Sequence, residues 1–300
     1  MGRLAAALSV ARWTWALGLM WGCANPSPAA PDTPAFDDAR PDEVARALAT
    51  PRPIPAHDSV WMAELTWMEV RDAMAAGRTT AIVPTGGMED NGPFLATAKH
   101  DVIVAAACTR IAQQLGNALC APVLSLVPQG NPASPTGHMR YPGTLSLRED
   151  TFVQVLLDIG ESLHQHGFEL IVFIGDSGGN QAGLEAAADQ LNTRWSEPAA
   201  LHVPEFYDYD ELTDFLENEL GIVEPQDDGL HDDYLVTTMM MAVDPHTVRH
   251  RERLGTGLAS INGLSIEDAD AAAAVGRRLL DHRADRTVAA IRRHIPTVAR

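Results

Sequence analysis

Residues 170–180, Leu-Ile-Val-Phe-Ile-Gly-Asp-Ser-Gly-Gly-Asn, constrain this chain more than any other stretch. An unbroken apolar run enters a glycine-rich turn, and a helical pattern follows. Such a run suits a strand buried on both faces, and strands of that kind belong to parallel sheets covered by helices. The turn at the carboxyl end of the strand delivers polar side chains to the rim of the sheet, where α/β proteins gather their sites. Asp176, Ser177 and Asn180 are rim residues by position.

The same alternation runs through the chain. Residues 79–84 form a short β-branched run, 101–115 read as a helix and 118–127 as an apolar strand. Phe152, Val155, Leu156, Ile159 and Leu163 mark one face of a helix over 149–166. Residues 169–174 read as strand, 180–194 as helix and 201–206 as strand-like, with helical patterns over 235–243 and 266–295. Strands alternating with helices predict βαβ units and a mainly parallel sheet in one α/β domain over 59–297. The chain is 46% apolar, enough for a substantial core.

The region before that domain reads differently. Arg3 and Arg12 give a positive start, and 13–22 is an apolar run too short to span a bilayer. Cys23 directly follows Gly22, as at a bacterial lipoprotein cleavage site. Residues 1–23 are thus expected to be an export signal of lipoprotein type, and a lipidated Cys23 would anchor the chain to a membrane. Residues 24–58 are rich in Pro, Ala and Asp without apolar periodicity, which reads as a flexible tether. The expected location is periplasmic or at the membrane surface. Cys108 and Cys120 could pair in such a compartment. Their apolar surroundings suit buried free thiols equally well, so both states stay open.

The formal net charge of −18 argues against nucleic acid and anionic membrane surfaces as partners. Gly-Asp-Ser-Gly-Gly also surrounds the nucleophile of trypsin-like proteases. Those proteins need two antiparallel barrels and an upstream catalytic histidine segment, and this chain has the pattern of neither. A different serine hydrolase stays open, with Ser177 after a strand as in a nucleophile elbow and His231 with Asp232 or Asp233 downstream.

Four segments occur in a telling order. They are residues 84–93, Pro-Thr-Gly-Gly-Met-Glu-Asp-Asn-Gly-Pro, and 137–147, Gly-His-Met-Arg-Tyr-Pro-Gly-Thr-Leu-Ser-Leu. Then come 175–180, Gly-Asp-Ser-Gly-Gly-Asn, and 229–234, Gly-Leu-His-Asp-Asp-Tyr. Together they resemble the creatininase (creatinine amidohydrolase) family. The resemblance implies a three-layer α/β/α sandwich and a divalent-metal centre, often of two ions, that hydrolyses non-peptide amide C–N bonds. It also implies a homo-oligomer, hexameric in the family.

The chain departs from the family pattern at the metal site. Glu89 matches the glutamate of the family's Glu-x-His-Gly motif, but Asn91 replaces its histidine. Lys99-His100 falls where Thr-Asp is expected, and Ser177 replaces a second histidine. His231 matches the histidine of a third motif, while Tyr234 and Val236 stand where glutamates would be. An aspartate can bridge two metals through two oxygens, whereas a neutral imidazole has one lone pair. The expected ligands are Glu89, His100, Asp176 and His231, around one Zn²⁺, Mn²⁺ or Fe²⁺ rather than two. Asp232 or Glu89 is expected as general base, and Asn180 with the Gly178–Gly179 amides as oxyanion donors. Ser177 is expected to orient water or substrate, and His138 to touch the substrate, a small amide. The alternatives are a ligand-binding lipoprotein on a disabled hydrolase fold and a serine hydrolase using Ser177.

Overall fold

The computed structural model describes residues 40–294. The export signal, Cys23 and the first part of the tether lie outside the described residues. The chain divides into two units, 1–51 and 52–300. In the first, residues expected as tether form helix α1 (Pro41–Ala49). Pro41 at its first turn needs no N–H partner, and Asp42 and Glu43 suit the positive helix end.

The second unit carries the sheet. Its elements are α2 (Trp67–Ala75), β1 (Thr80–Thr85), α3 (Lys99–Leu115), β2 (Ala118–Cys120), α4 (Glu149–Gln165) and β3 (Leu170–Gly175). They continue with α5 (Gln181–Trp195), β4 (Ala200–His202), α6 (Tyr209–Asn218), α7 (Tyr234–Val243) and α8 (His250–Thr256). The hairpin β5 (Ser260–Ile261) and β6 (Leu264–Ser265) precedes α9 (Ala269–His294). Four parallel strands lie in the order β2-β1-β3-β4.

Alternation along the strands builds two cores. Ala81, Val83, Ile171 and Phe173 point to one face, with α4 and α5 supplying Phe152, Leu156, Leu184 and Leu191. Ile82, Val172 and Ile174 point to the other, against Ile103, Met239, Met240 and Leu280 of α3, α7 and α9. This is the three-layer α/β/α sandwich expected from the sequence. Among the described residues no helix is long and apolar enough to cross a membrane.

Two expected strands are shorter than their apolar runs. The 118–127 run keeps a regular ladder only to Cys120, because Pro122 has no N–H to give it, and continues as isolated bridges at Leu124 and Val127. The 201–206 run gives way after His202 to a 3₁₀ turn started by Pro204. Cys108 on α3 and Cys120 on β2 form a disulfide.

The register sets the site. Thr85 lies beside Gly175, so the two glycine turns leave the sheet next to each other. The second turn packs so tightly that a Cβ on Gly179 would lie 2.2 Å from the Pro128 carbonyl oxygen. Only glycine fits there.

Candidate metal centre

After β1 the chain turns through Gly86 and Gly87, and Glu89 N donates to Thr97 O at 3.0 Å. That fold-back lays the β1 turn against the start of α3, which carries Lys99 and His100. Asn91 holds the loop, its amide donating to the carbonyls of Glu89, Ala96 and Thr97. Glu89 is buried, 1% exposed.

Two histidines join Glu89 on its outer side. One ligand atom each from Glu89, His138 and His231 lies within 4.8 Å of the others. His138 Nε2 is 3.6 Å from Glu89 Oε2; His231 Nδ1 is 3.7 Å from Glu89 Oε1 and donates to the Asp90 carbonyl at 3.2 Å, which leaves Nε2 as the His231 nitrogen with a lone pair. The two imidazoles stack with centroids 4.7 Å apart. His138 sits on a 3₁₀ turn that Thr144 Oγ1 fastens by donating to the His138 carbonyl at 2.8 Å. Its Nδ1 is bonded to Asp90 Oδ1 at 2.8 Å, so its Nε2 is the free nitrogen turned to Glu89. A carboxylate behind a histidine in this way fixes the tautomer of metal-ligating imidazoles.

His231 has a left-handed backbone, φ +56°. A non-glycine residue held there marks local strain of the kind that collects at functional sites. His231 is exposed on one side, its side chain 46% accessible, yet partial desolvation, with Lys99 nearby, lowers its pKa and favours the neutral ring a metal needs. Glu89 is ready too. Burial opposes its charge, but the His100 hydrogen bond and the charges of His100 and Lys99 outweigh that and hold the carboxyl at about 2. A carboxylate and two histidines on one face fit a divalent ion.

His100 and Asp176, expected as ligands, lie on the inner side of Glu89. His100 Nε2 meets Glu89 Oε1 at 2.6 Å and its Nδ1 meets Asp176 Oδ2 at 2.8 Å. Both ring nitrogens face carboxylate oxygens, so neither is left to bind a metal. Burial opposes the charge on His100, but those two hydrogen bonds raise its pKa overall. Asp176 Oδ1 accepts from Arg283 Nη1 at 2.5 Å and from Tyr209 Oη at 2.9 Å. Burial opposes ionisation of Asp176, yet Arg283 and His100 lower its pKa. Glu89 and Asp176 thus share one site, joined through His100.

The remaining candidates divide. Asn180 donates its amide to Thr85 O, Thr85 Oγ1 and Gly86 O, which makes it a clamp between the two turns rather than an oxyanion donor. Gly178 is hydrogen-bonded to the Tyr207 hydroxyl. Ser177 is buried in an extended conformation, φ −117°, without the strain of a nucleophile elbow. Its Oγ accepts from the Gln129 amide at 3.4 Å, and an amide cannot act as its base. Asp232 is 4% exposed, and neither carboxylate oxygen has a partner. Burial, then Asp228, pushes its pKa up to about 6. It lines a cavity of about 750 Å³ with Tyr209, Glu224, Gln226, His231 and Asn262.

Sequence reasoning missed Arg283, Lys99 and Asp90 as parts of the site. A signal for Arg283 existed. It falls in register with Gly276, Leu279, Leu280 and Thr287 on the buried face of α9, where a charged residue needs a partner.

Comparison with known proteins agrees with this picture. The family described as Creatininase, creatinine amidohydrolase, matches residues 63–291. A creatinine amidohydrolase of Pseudomonas putida is 28% identical over 155 residues, 50% of this chain and 59% of that protein. The match thus spans under two thirds of that relative. A crystal structure of creatinine amidohydrolase (creatininase) superposes with a TM-score of 0.60 at 20% identity, over 80% of this chain and 99% of the other. A mutant creatininase of the Zn-Zn type gives 0.59 at 22% identity, over 80% and 100%.

Proposed function

This chain belongs to the creatininase family, and from that premise we propose that it is a metal-dependent hydrolase of an amide C–N bond in a small molecule. The observation that carries the reading is the convergence of Glu89, His138 and His231 on one face. A divalent ion there would polarise an amide carbonyl and acidify a water, and zinc, manganese and iron all suit the donor set.

The chain's own residues supply the rest. His138, fixed by Asp90, and the strained His231 hold the donor atoms in place. Asp232 adjoins His231 and lines the cavity, and with a pKa of about 6 it is mostly ionised at neutral pH while able to accept a proton. The cavity suits a small-molecule substrate. Ser177 and Asn180 act here as positioning residues of the β3 turn.

Elemental analysis of the purified chain tests the reading. Bound zinc, manganese or iron should be present, and His138→Ala and His231→Ala should each weaken it by at least the roughly 10–100-fold that changes around a ligand cost. Ser177→Ala should leave metal in place. Labelling of Ser177 by a fluorophosphonate, with activity surviving chelation, would establish the serine hydrolase instead. Neither metal nor label would favour a ligand-binding protein on a disabled hydrolase fold.

We also propose that residues 1–23 export the chain as a lipid-anchored periplasmic protein and that 59–297 is the hydrolase domain. The Cys108–Cys120 disulfide supports an oxidising compartment. Mass spectrometry should find a mature chain that begins at a lipidated Cys23, and an unmodified Cys23 removes the anchor.

A further inference from the structure

We infer that Lys99, His100 and Arg283 form a built-in cation cluster in place of a second metal ion, so that the chain binds one ion, at Glu89, His138 and His231. The inference rests on the metal-dependent reading above and adds the number of ions and the reason for it.

Three proton-bearing groups sit on the inner side of Glu89, all nearly out of water. Lys99 is 3% exposed, His100 5% and Arg283 1%. Between them lie two buried carboxylates. His100 bridges Glu89 Oε1 and Asp176 Oδ2 at 2.6 and 2.8 Å. The Lys99 ammonium lies 3.6 Å from the same Glu89 oxygen. Arg283 Nη1 lies 2.5 Å from the other Asp176 oxygen, which also accepts from Tyr209.

Donor accounting excludes a second ion. A neutral imidazole has one N–H, and two N–H groups are needed when both nitrogens meet carboxylate oxygens. His100 therefore donates twice and offers no lone pair. Both oxygens of Asp176 are engaged by proton donors. On the inner side Glu89 Oε1 is held by His100 and Lys99, while its Oε2 faces His138. A divalent ion placed among these groups would meet three like charges in a low-dielectric interior, with no imidazole lone pair to bind it and with the Asp176 oxygens already accepting from His100, Arg283 and Tyr209. The cluster supplies the positive charge that two buried carboxylates require.

The test is metal stoichiometry and affinity on the full chain. After dialysis against excess zinc, plasma mass spectrometry should find one ion per chain. Two ions overturn the inference and leave the metal-dependent reading standing. No bound ion defeats both. The variant His100→Gln separates a cation from a ligand by the sign of its effect. Removing a positive charge beside the site should tighten zinc, by about tenfold in a chelator competition, with stoichiometry still one. Weaker binding marks His100 as a ligand and overturns the inference. If the variant does not fold, a two-bond proton–nitrogen spectrum of the zinc-loaded wild type decides. One buried histidine should carry hydrogens on both ring nitrogens, and a spectrum with none overturns the inference.

Discussion

Replacing Arg283 with methionine isolates what the buried cations do for the fold. The side chain keeps its length, and the guanidinium between the Phe206 and Tyr209 rings, 4.7 and 4.5 Å away, is replaced by a thioether that packs well there. Asp176, 0% exposed, loses its strongest partner. Removing one member of a buried ion pair costs about 3–5 kcal/mol. For a domain of this size each kcal/mol moves Tm by about 2–4 °C, so Tm should fall by roughly 6–20 °C. Calorimetry of Arg283→Met, Asp176→Asn and the double variant measures it. The double variant should lose about 1–3 kcal/mol less than the two singles added. The pH dependence follows from the sign of the shift. Asp176 is held below the ordinary aspartate value in the folded chain. Its stabilisation is therefore present above that value and is lost as pH falls through the lower folded one. The gap between wild type and Arg283→Met should be widest at neutral pH and close in acid. A Tm loss under about 2 °C at neutral pH, well short of what 3–5 kcal/mol requires, or strictly additive singles, would refute the reasoning.

Two further perturbations follow. Cys108→Ala with Cys120→Ala opens a link between residues 12 apart, which should cost about 3 kcal/mol, and a reductant should lower the wild-type Tm likewise. Asp232→Asn should stabilise the metal-free protein at neutral pH by up to about 3 kcal/mol while abolishing hydrolysis. A folded pKa of about 6, above the ordinary aspartate value, makes the charged form costly. The gain should grow as pH rises from 4 to 6 and vanish below that window. A loss of stability at pH 7.5 would show that Asp232 is paired in solution.

The sheet was legible because a strand buried on both faces must be written in apolar residues, and 170–175 is. Where pairing stops was less legible, since Pro122 and Pro204 act on the ladder and leave hydrophobicity untouched. The site was legible by segment but not by atom. Glu89, His100, Asp176 and His231 do gather at one sheet edge, as turns beside neighbouring strands must. Which of them face outward depends on the loop fold-back from Glu89 to Thr97, a contact between backbone groups that any sequence can make. His138 reads from the sequence as a substrate contact, and its standing as a metal-facing histidine shows only once Asp90, 48 residues earlier, is seen to fix its ring. Arg283, 107 residues after Asp176, betrays its burial by its register on α9, but nothing local names Asp176 as its partner.

The replaced ligands bear on whether this site has decayed or been rebuilt. Loss of a metal ligand by drift leaves its neighbours behind, and a buried carboxylate without compensation costs several kcal/mol. Here the departures from the family pattern answer one another. Where an aspartate is expected, His100 joins Glu89 to Asp176, and Lys99 beside it adds charge to Glu89. Where a histidine is expected, the Asn91 amide ties three carbonyls and shapes the loop that presents Glu89. At the second such position, Ser177 accepts from Gln129. Every charge on the inner side has a partner. The buried carboxylate left without one is Asp232, whose oxygens lie at the cavity beside His231. Drift has no reason to neutralise the interior while sparing that one costly group at the cavity wall. The proposed use of Asp232 in proton transfer gives a reason to keep it.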